Sequence, residues 1–235
     1  MFELSVVIPV YNHLDLTKQV ISNIKETQKD VNYQLVIVND GSSDWTKKRL
    51  DDNKESNWIV VHQANQWTNW AWNKWVELSK APYILIINND IILSEWAFRN
   101  MINWFTDDSI WMVNVRTISP ETKQYWTKPY YFANEIQWWC YMITKKMKEL
   151  LFPIDKRLRI WWWDNIIFYK MIYNWYKLKV VSNVIIQHLV SQTVSSYQNN
   201  TDTPIFHDIM KEEWYYCHPL KLCSGDMDED FIYWL

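Results

Sequence analysis

Apolar residues along the chain fall into short unbroken runs, separated by stretches where they recur every three or four positions. The runs are Leu4–Val10 (LSVVIPV), Tyr33–Asp40 (YQLVIVND), Trp58–His62 (WIVVH), Tyr83–Asp90 (YILIINND) and Ile110–Val115 (IWMVNV). Runs without polar alternation predict strands covered on both faces. Between the first two, Leu16, Val20, Ile21 and Ile24 form one helical stripe, with Asp15 placed to cap its start. Ala71–Lys80 reads as a second helix. Phe98, Met101, Ile102 and Phe105 share the face of a third, with Ser94 as its expected N-cap. This alternation predicts an α/β sheet, mainly parallel, flanked by helices.

The second half is less regular. Trp139–Thr144 reads as a strand followed by an amphipathic KKMKELLF, Asp164–Asn174 as a helix and Tyr176–His188 as a strand pair. Beyond Val190 polar residues dominate, and SGDMDED (Ser224–Asp230) is an acidic run before an aromatic end. The expected organisation is one domain over residues 1–194, with 195–235 an extension packing on it or on a partner.

Composition narrows the function. A net charge of −3 over 235 residues, nearly half of them apolar, argues against disorder and against nucleic-acid binding. Cys140, Cys217 and Cys223 have no metal-knuckle spacing, so reduced thiols in a cytoplasmic protein are expected. The first apolar run begins at Leu4, so no signal peptide is expected. No apolar run approaches the roughly 18 residues of a membrane span, so at most a peripheral contact at the inner face of the membrane is expected. Most unusual are 18 tryptophans beside 2 glycines. Glycine ordinarily takes about 7% of positions.

In an open α/β sheet, ligands bind beyond the carboxyl ends of the strands. Here PVYN closes the first strand, NDGSSD the second and NND the fourth, while NQW follows the third. With NQWTNWAWNKW and IWWWDN added, these segments resemble, in order and spacing, the motifs of family-2 glycosyltransferases with the GT-A fold. The resemblance runs from Leu4 to His188 and implies a nucleotide-diphospho-sugar transferase.

Residue roles follow as implications of that resemblance. Pro9, Tyr11 and Asn12 match the motif lining the nucleotide pocket. Asp40 matches the carboxylate that accepts from the base, UDP, GDP and dTDP all remaining open as carriers. Asp44 sits in the same loop and reads more simply as a cap of the next helix. Asn65 and Asn73 match the third motif on the nucleotide side, a structural role being as consistent for Asn73. Asn88–Asp90 falls on the D-x-D-type motif, with Asn88 departing at the first acid. Asn89 and Asp90 are assigned to the nucleotide sugar, and Asp90 to a divalent cation, Mn²⁺ or Mg²⁺. His188 matches a further metal or phosphate ligand, a structural histidine being the alternative. Asp164 falls where the family places an acidic pair, here Asp-Asn, and is assigned as the base that takes the acceptor hydroxyl proton.

The implied activity is inverting, metal-assisted transfer of a sugar to a glycan, lipid-linked or cell-surface precursor. The alternative is a catalytically inactive nucleotide-sugar binder, marked by Asn88 and Asn165. A nucleotidylyltransferase or a dinucleotide oxidoreductase would need a Gly-rich loop after the first strand, which PVYNHLD lacks. The same motifs place Trp45, Trp67, Trp75, Trp163 and Trp175 where the family carries glycine, at turns and helix caps. Two explanations stand: a codon that the source organism reads as glycine, or a chain rich in genuine tryptophan. Trp104, Trp161 and one of Trp138 and Trp139 lie in contexts that suit an indole.

Overall fold

A computed structural model describes residues 1–65, 68–117, 130–132, 139–158, 163–189 and 202–213. Its first strands are β1 (Leu4–Val10), β2 (Tyr33–Asp40), β3 (Trp58–Gln63) and β4 (Tyr83–Ile87). Helices α1 (Leu14–Thr27), α2 (Thr46–Asp52) and α3 (Thr68–Leu78) connect them. These strands pair in parallel in the order β3-β2-β1-β4, so their carboxyl ends share one edge.

Alternate strand residues feed two cores. Val6, Ile8, Leu35, Ile37 and Leu85 point to the side covered by α1 and by α4 (Ala97–Asn103). Val7, Val36, Val38, Ile84 and Ile86 point to the opposite side. That side is closed by α3, α5 (Lys145–Leu151), α6 (Trp163–Tyr173) and α7 (Thr203–Glu212). Burial on both faces is why these strands carry no polar alternation. Within the 195–235 segment, α7 buries Phe206, Ile209 and Met210 in the second core. Arg157 forks between Asp155 and Glu212 at its end.

The sheet becomes mixed beyond β4. β8 (Cys140–Thr144) pairs antiparallel with both β4 and β6 (Ile110–Thr117). β9 (Lys177–His188) runs parallel to β6 and antiparallel to the short β5 (Ile91–Leu93) and β7 (Tyr130–Phe132). Three local expectations are corrected. The run expected as one strand to Asp90 ends at Ile87, turns, and resumes as β5. The expected Tyr176–His188 strand pair is one strand: Val115 pairs with Val181 but Arg116 with Ile185, so Ser182 and Asn183 lie in a bulge and do not reverse the chain. Neither expected cap caps. α1 starts after His13, with Asp15 in its first turn. Ser94 accepts through Oγ from Ile185 N–H at 3.2 Å, while α4 starts after Trp96.

Candidate active site

Three loops meet at the carboxyl edge of β1, β2 and β3. Asp40 ends β2 in register with Gln63, and its buried Oδ1 accepts from Gln63 Nε2 at 2.7 Å. Gly41 then turns with φ +79°, and a Cβ there would lie 2.6 Å from the backbone nitrogen of Asn65. Only glycine fits that turn and that approach. The loop after β1 is laced to the loop after β2. Asn12 N–H donates to Ser42 Oγ at 2.7 Å, and Asn12 Oδ1 accepts from Ser43 N–H at 2.8 Å. Asp44 accepts from Leu14 N–H and from Thr46 N–H, so it ties both loops as well as opening α2. Desolvation opposes its ionisation, but these hydrogen bonds win and hold its carboxyl below the ordinary aspartate value.

The second cluster lies at the end of β4. Asp90 follows the turn out of that strand, and β9 runs beside β5 so that His188 is in register with Ile91. Leu189 N–H donates to the Asp90 carbonyl at 2.8 Å. His188 Nε2 stands 3.1 Å from Asp90 Oδ2, and the indole of Trp139 stacks on the imidazole with ring centres 5.4 Å apart. The other carboxylate oxygen, Asp90 Oδ1, is buried and has no hydrogen-bond partner. An unmatched hard oxygen beside an imidazole nitrogen fits a divalent cation, with the remaining ligands coming from substrate. Among the described residues no group of three metal-ligating side chains occurs.

The other sequence-predicted residues divide. Pro9 lies in β1 beside Val38, Tyr11 is exposed just past the strand, and Asn65 sits against Gly41. Asn89 Nδ2 donates to the Thr17 hydroxyl at 3.2 Å, which turns it toward α1. Both ends of the Asn73 amide are used by Ile154, with Nδ2 to its carbonyl at 2.8 Å and its N–H to Oδ1 at 2.7 Å. Asn73 therefore clamps α3 to the loop after α5. Asp164 is in the first turn of α6, its side chain outside the described residues. That turn is located by Trp163, whose ring meets those of Trp72 and Tyr141 at 4.3 and 6.3 Å. Tyr141 follows Cys140, the partner of the last β4 residue, so α6 begins beside the same sheet edge. Gln63 and Trp139 were missed. Their only signal was position, at the strand end beside Asp40 and just before β8.

A parallel sheet with Asp40 and Asp90 at its carboxyl edge, and an antiparallel extension carrying His188 back to Asp90, fits the architecture of a nucleotide-diphospho-sugar transferase. The family model described as glycosyl transferase family 2 matches residues 5–182, and the chain belongs to that family. It is 30% identical over 110 residues to the minor teichoic acid biosynthesis protein GgaB of Bacillus subtilis, which covers 45% of this chain and 12% of that protein. A 57-residue stretch is 42% identical to an uncharacterized glycosyltransferase of Synechocystis, covering 23% of this chain and 18% of that one. The matched stretches are thus small parts of both relatives. Among solved structures, mannosyltransferase PcManGT from Pyrobaculum calidifontis, in complex with GDP-Man and Mn²⁺, superposes with a TM-score of 0.67 at 15% identity over 82% of this chain and 58% of that one. GalNAc-T7 with UDP, GalNAc and Mn²⁺ gives 0.69 at 15% identity, over 80% and 44%. TarS of S. aureus gives 0.62 at 13% identity, over 78% and 60%. At these identities the likeness is one of fold.

Proposed function

We propose that the chain is an inverting, metal-assisted glycosyltransferase that moves a sugar from a nucleoside diphosphate to an acceptor hydroxyl. The observation that carries this reading is the convergence of Asp40, the Asp90–His188 pair and the first turn of α6 on one sheet edge. Asp40 accepts from the base, and Pro9, Tyr11, Asn12 and Asn65 line the nucleotide pocket. Asn89, beside Asp90, lies on the sugar-diphosphate side. Asp90 and His188 would hold Mn²⁺ or Mg²⁺, which neutralises charge on the departing diphosphate. Asp164 takes the proton as the acceptor oxygen bonds to the anomeric carbon and the bond to the diphosphate oxygen breaks, the electron pair leaving with the diphosphate. Attack opposite the leaving group inverts the anomeric centre.

The relative named for teichoic acid biosynthesis supports a cell-surface glycan as acceptor, and we extend the proposal to a lipid-linked precursor met at the cytoplasmic face of a membrane. Among the described residues no helix is long and apolar enough to cross a membrane. The test is a thermal-shift panel of UDP-, GDP- and dTDP-sugars with and without Mn²⁺, followed by transfer assays. Asp164→Asn is expected to abolish transfer while donor binding persists. Equal loss of both assigns Asp164 to structure. Donor binding without turnover across a broad acceptor set favours an inactive binder instead.

A further inference from the structure

The loops bearing Asp40 and Asn12 are held by a hydrogen-bond relay that begins outside the pocket. Asn39, the residue before Asp40, is buried. Its Oδ1 accepts from Ser42 N–H at 3.0 Å, which fixes the amide so that Nδ2 faces His62 Nδ1 at 3.1 Å. An amide nitrogen only donates, so Nδ1 must accept and the ring proton resides on Nε2. That proton meets Asp51 Oδ1, 2.9 Å away on α2. At the other end, Ser42 Oγ receives Asn12 N–H, and Asn12 holds φ +55°. Asparagine tolerates this left-handed region better than most residues, and the bonds to Ser42 and Ser43 hold it there.

We propose that His62 is a positioning residue for the nucleotide pocket. Fixed as the Nε2–H tautomer by Asp51, it orients Asn39, which sets the loop of residues 41–44 and through Ser42 the backbone of Asn12. This rests on the nucleotide-sugar reading of the same edge. His62 itself lies one strand away from Asp40, so its effect is on how often the loops stand ready to bind. A pocket formed for only a tenth of the time binds about tenfold more weakly, without change in the chemical step.

The test is calorimetric titration of the full chain with UDP, GDP and dTDP in Mn²⁺, taking the tightest binder forward, with donor KM and kcat from the transfer assay. His62→Leu removes the acceptor and leaves the Asn39 amide unmatched. It is expected to weaken nucleotide binding about tenfold and to raise donor KM with kcat retained. His62→Asn places an amide oxygen where Nδ1 was and is expected to restore affinity to near wild type. Asp51→Leu, a surface change that tests the relay even if His62→Leu does not fold, is expected to weaken binding in the same direction by less. Wild-type affinity in His62→Leu, or His62→Asn no better than His62→Leu in folded protein, overturns the relay while leaving the nucleotide-sugar reading intact. A wild-type chain that binds none of the three nucleotides overturns that reading and the relay with it.

Discussion

Gly41→Ala is the most direct perturbation of the nucleotide edge, because its cost has two separable parts. The residue holds φ +79°, where an L side chain costs about 1–2 kcal/mol. The added methyl would also sit 2.6 Å from Asn65 N, 3.1 Å from its Cβ and 3.2 Å from its Cα. The nearest atom is backbone, so relief requires moving the segment after β3. Overpacking of that kind costs about 1–3 kcal/mol. Together the expected destabilisation is about 2–5 kcal/mol, a fall in Tm of about 4–20 °C for a chain of this size. The displacement also separates Asp40 from Asn65, so the tightest nucleoside diphosphate should bind more weakly to the fraction that remains folded. Urea midpoints and calorimetric titration in Mn²⁺ read the two effects separately. A variant with the wild-type midpoint and wild-type affinity would refute the argument that these loops meet at Gly41.

Asp155 is held below the ordinary aspartate value by hydrogen bonds from Arg157, which outweigh its desolvation. Because its folded value is lowered, its contribution to stability is present at neutral pH and is lost as pH falls through that lowered value. Arg157→Gln is therefore expected to flatten the acid limb of a urea-midpoint profile between neutral pH and about pH 3, and parallel limbs for the two proteins would contradict it. Trp96 and Trp175 hold φ +62° and +61° with side chains 53% and 72% exposed. Replacing either by glycine should relieve left-handed strain and stabilise the fold by about 1 kcal/mol, measured by the shift in urea midpoint; an unchanged or lowered midpoint counts against it. If the source organism reads one of these codons as glycine, the chain purified from it is lighter by one indole side-chain replacement at each such position. An intact mass equal to that of the printed sequence rejects the idea.

The strands of the parallel half were legible because a chain covered on both faces must be apolar at successive positions. Ile8 and Val7 enter opposite cores, and the run between Leu4 and Val10 has no polar residue except Ser5, whose hydroxyl accepts from Gln34 and Ala81 within the fold. The bulge in β9 was not legible. Ser182 and Asn183 have the composition of a turn, and what makes them a bulge is the pairing of both halves of β9 with β6. Asn183 is used as well, accepting from the Trp104 indole N–H at 2.7 Å. The cap expected at Ser94 failed for the same reason. Ser94 reads locally as the start of a helix, yet the β9 backbone nitrogen of Ile185 claims its hydroxyl. Local chemistry proposes a partner, and tertiary packing supplies a competing one.

The site shows the same limit at motif scale. Motif order put Asp40 at the end of β2, where it lies, and Asp90 at the end of the fourth run, where it lies instead in the turn between β4 and β5; the βα rhythm alone brings both to one edge. It could not distinguish a side chain that faces that edge from one claimed by the scaffold. Asn73 occupies a motif position, yet both ends of its amide bond the main chain of Ile154, 81 residues away, and no local pattern encodes that clamp. The tryptophans divide in the same manner. Trp175 has the left-handed backbone that a glycine position demands, and so does Trp96, which the motifs did not single out. Trp45 holds φ −71°, which any residue adopts, so the conformational argument for glycine fails there even though its side chain is 73% exposed. Trp75 lies inside α3, fully buried, with an indole N–H that has no acceptor, a loss of about 1–3 kcal/mol in an apolar site. What is unfavourable there is the side chain, and at Trp175 it is the backbone. The glycine question therefore has to be answered position by position, since a shared motif does not give its members a shared physical reason.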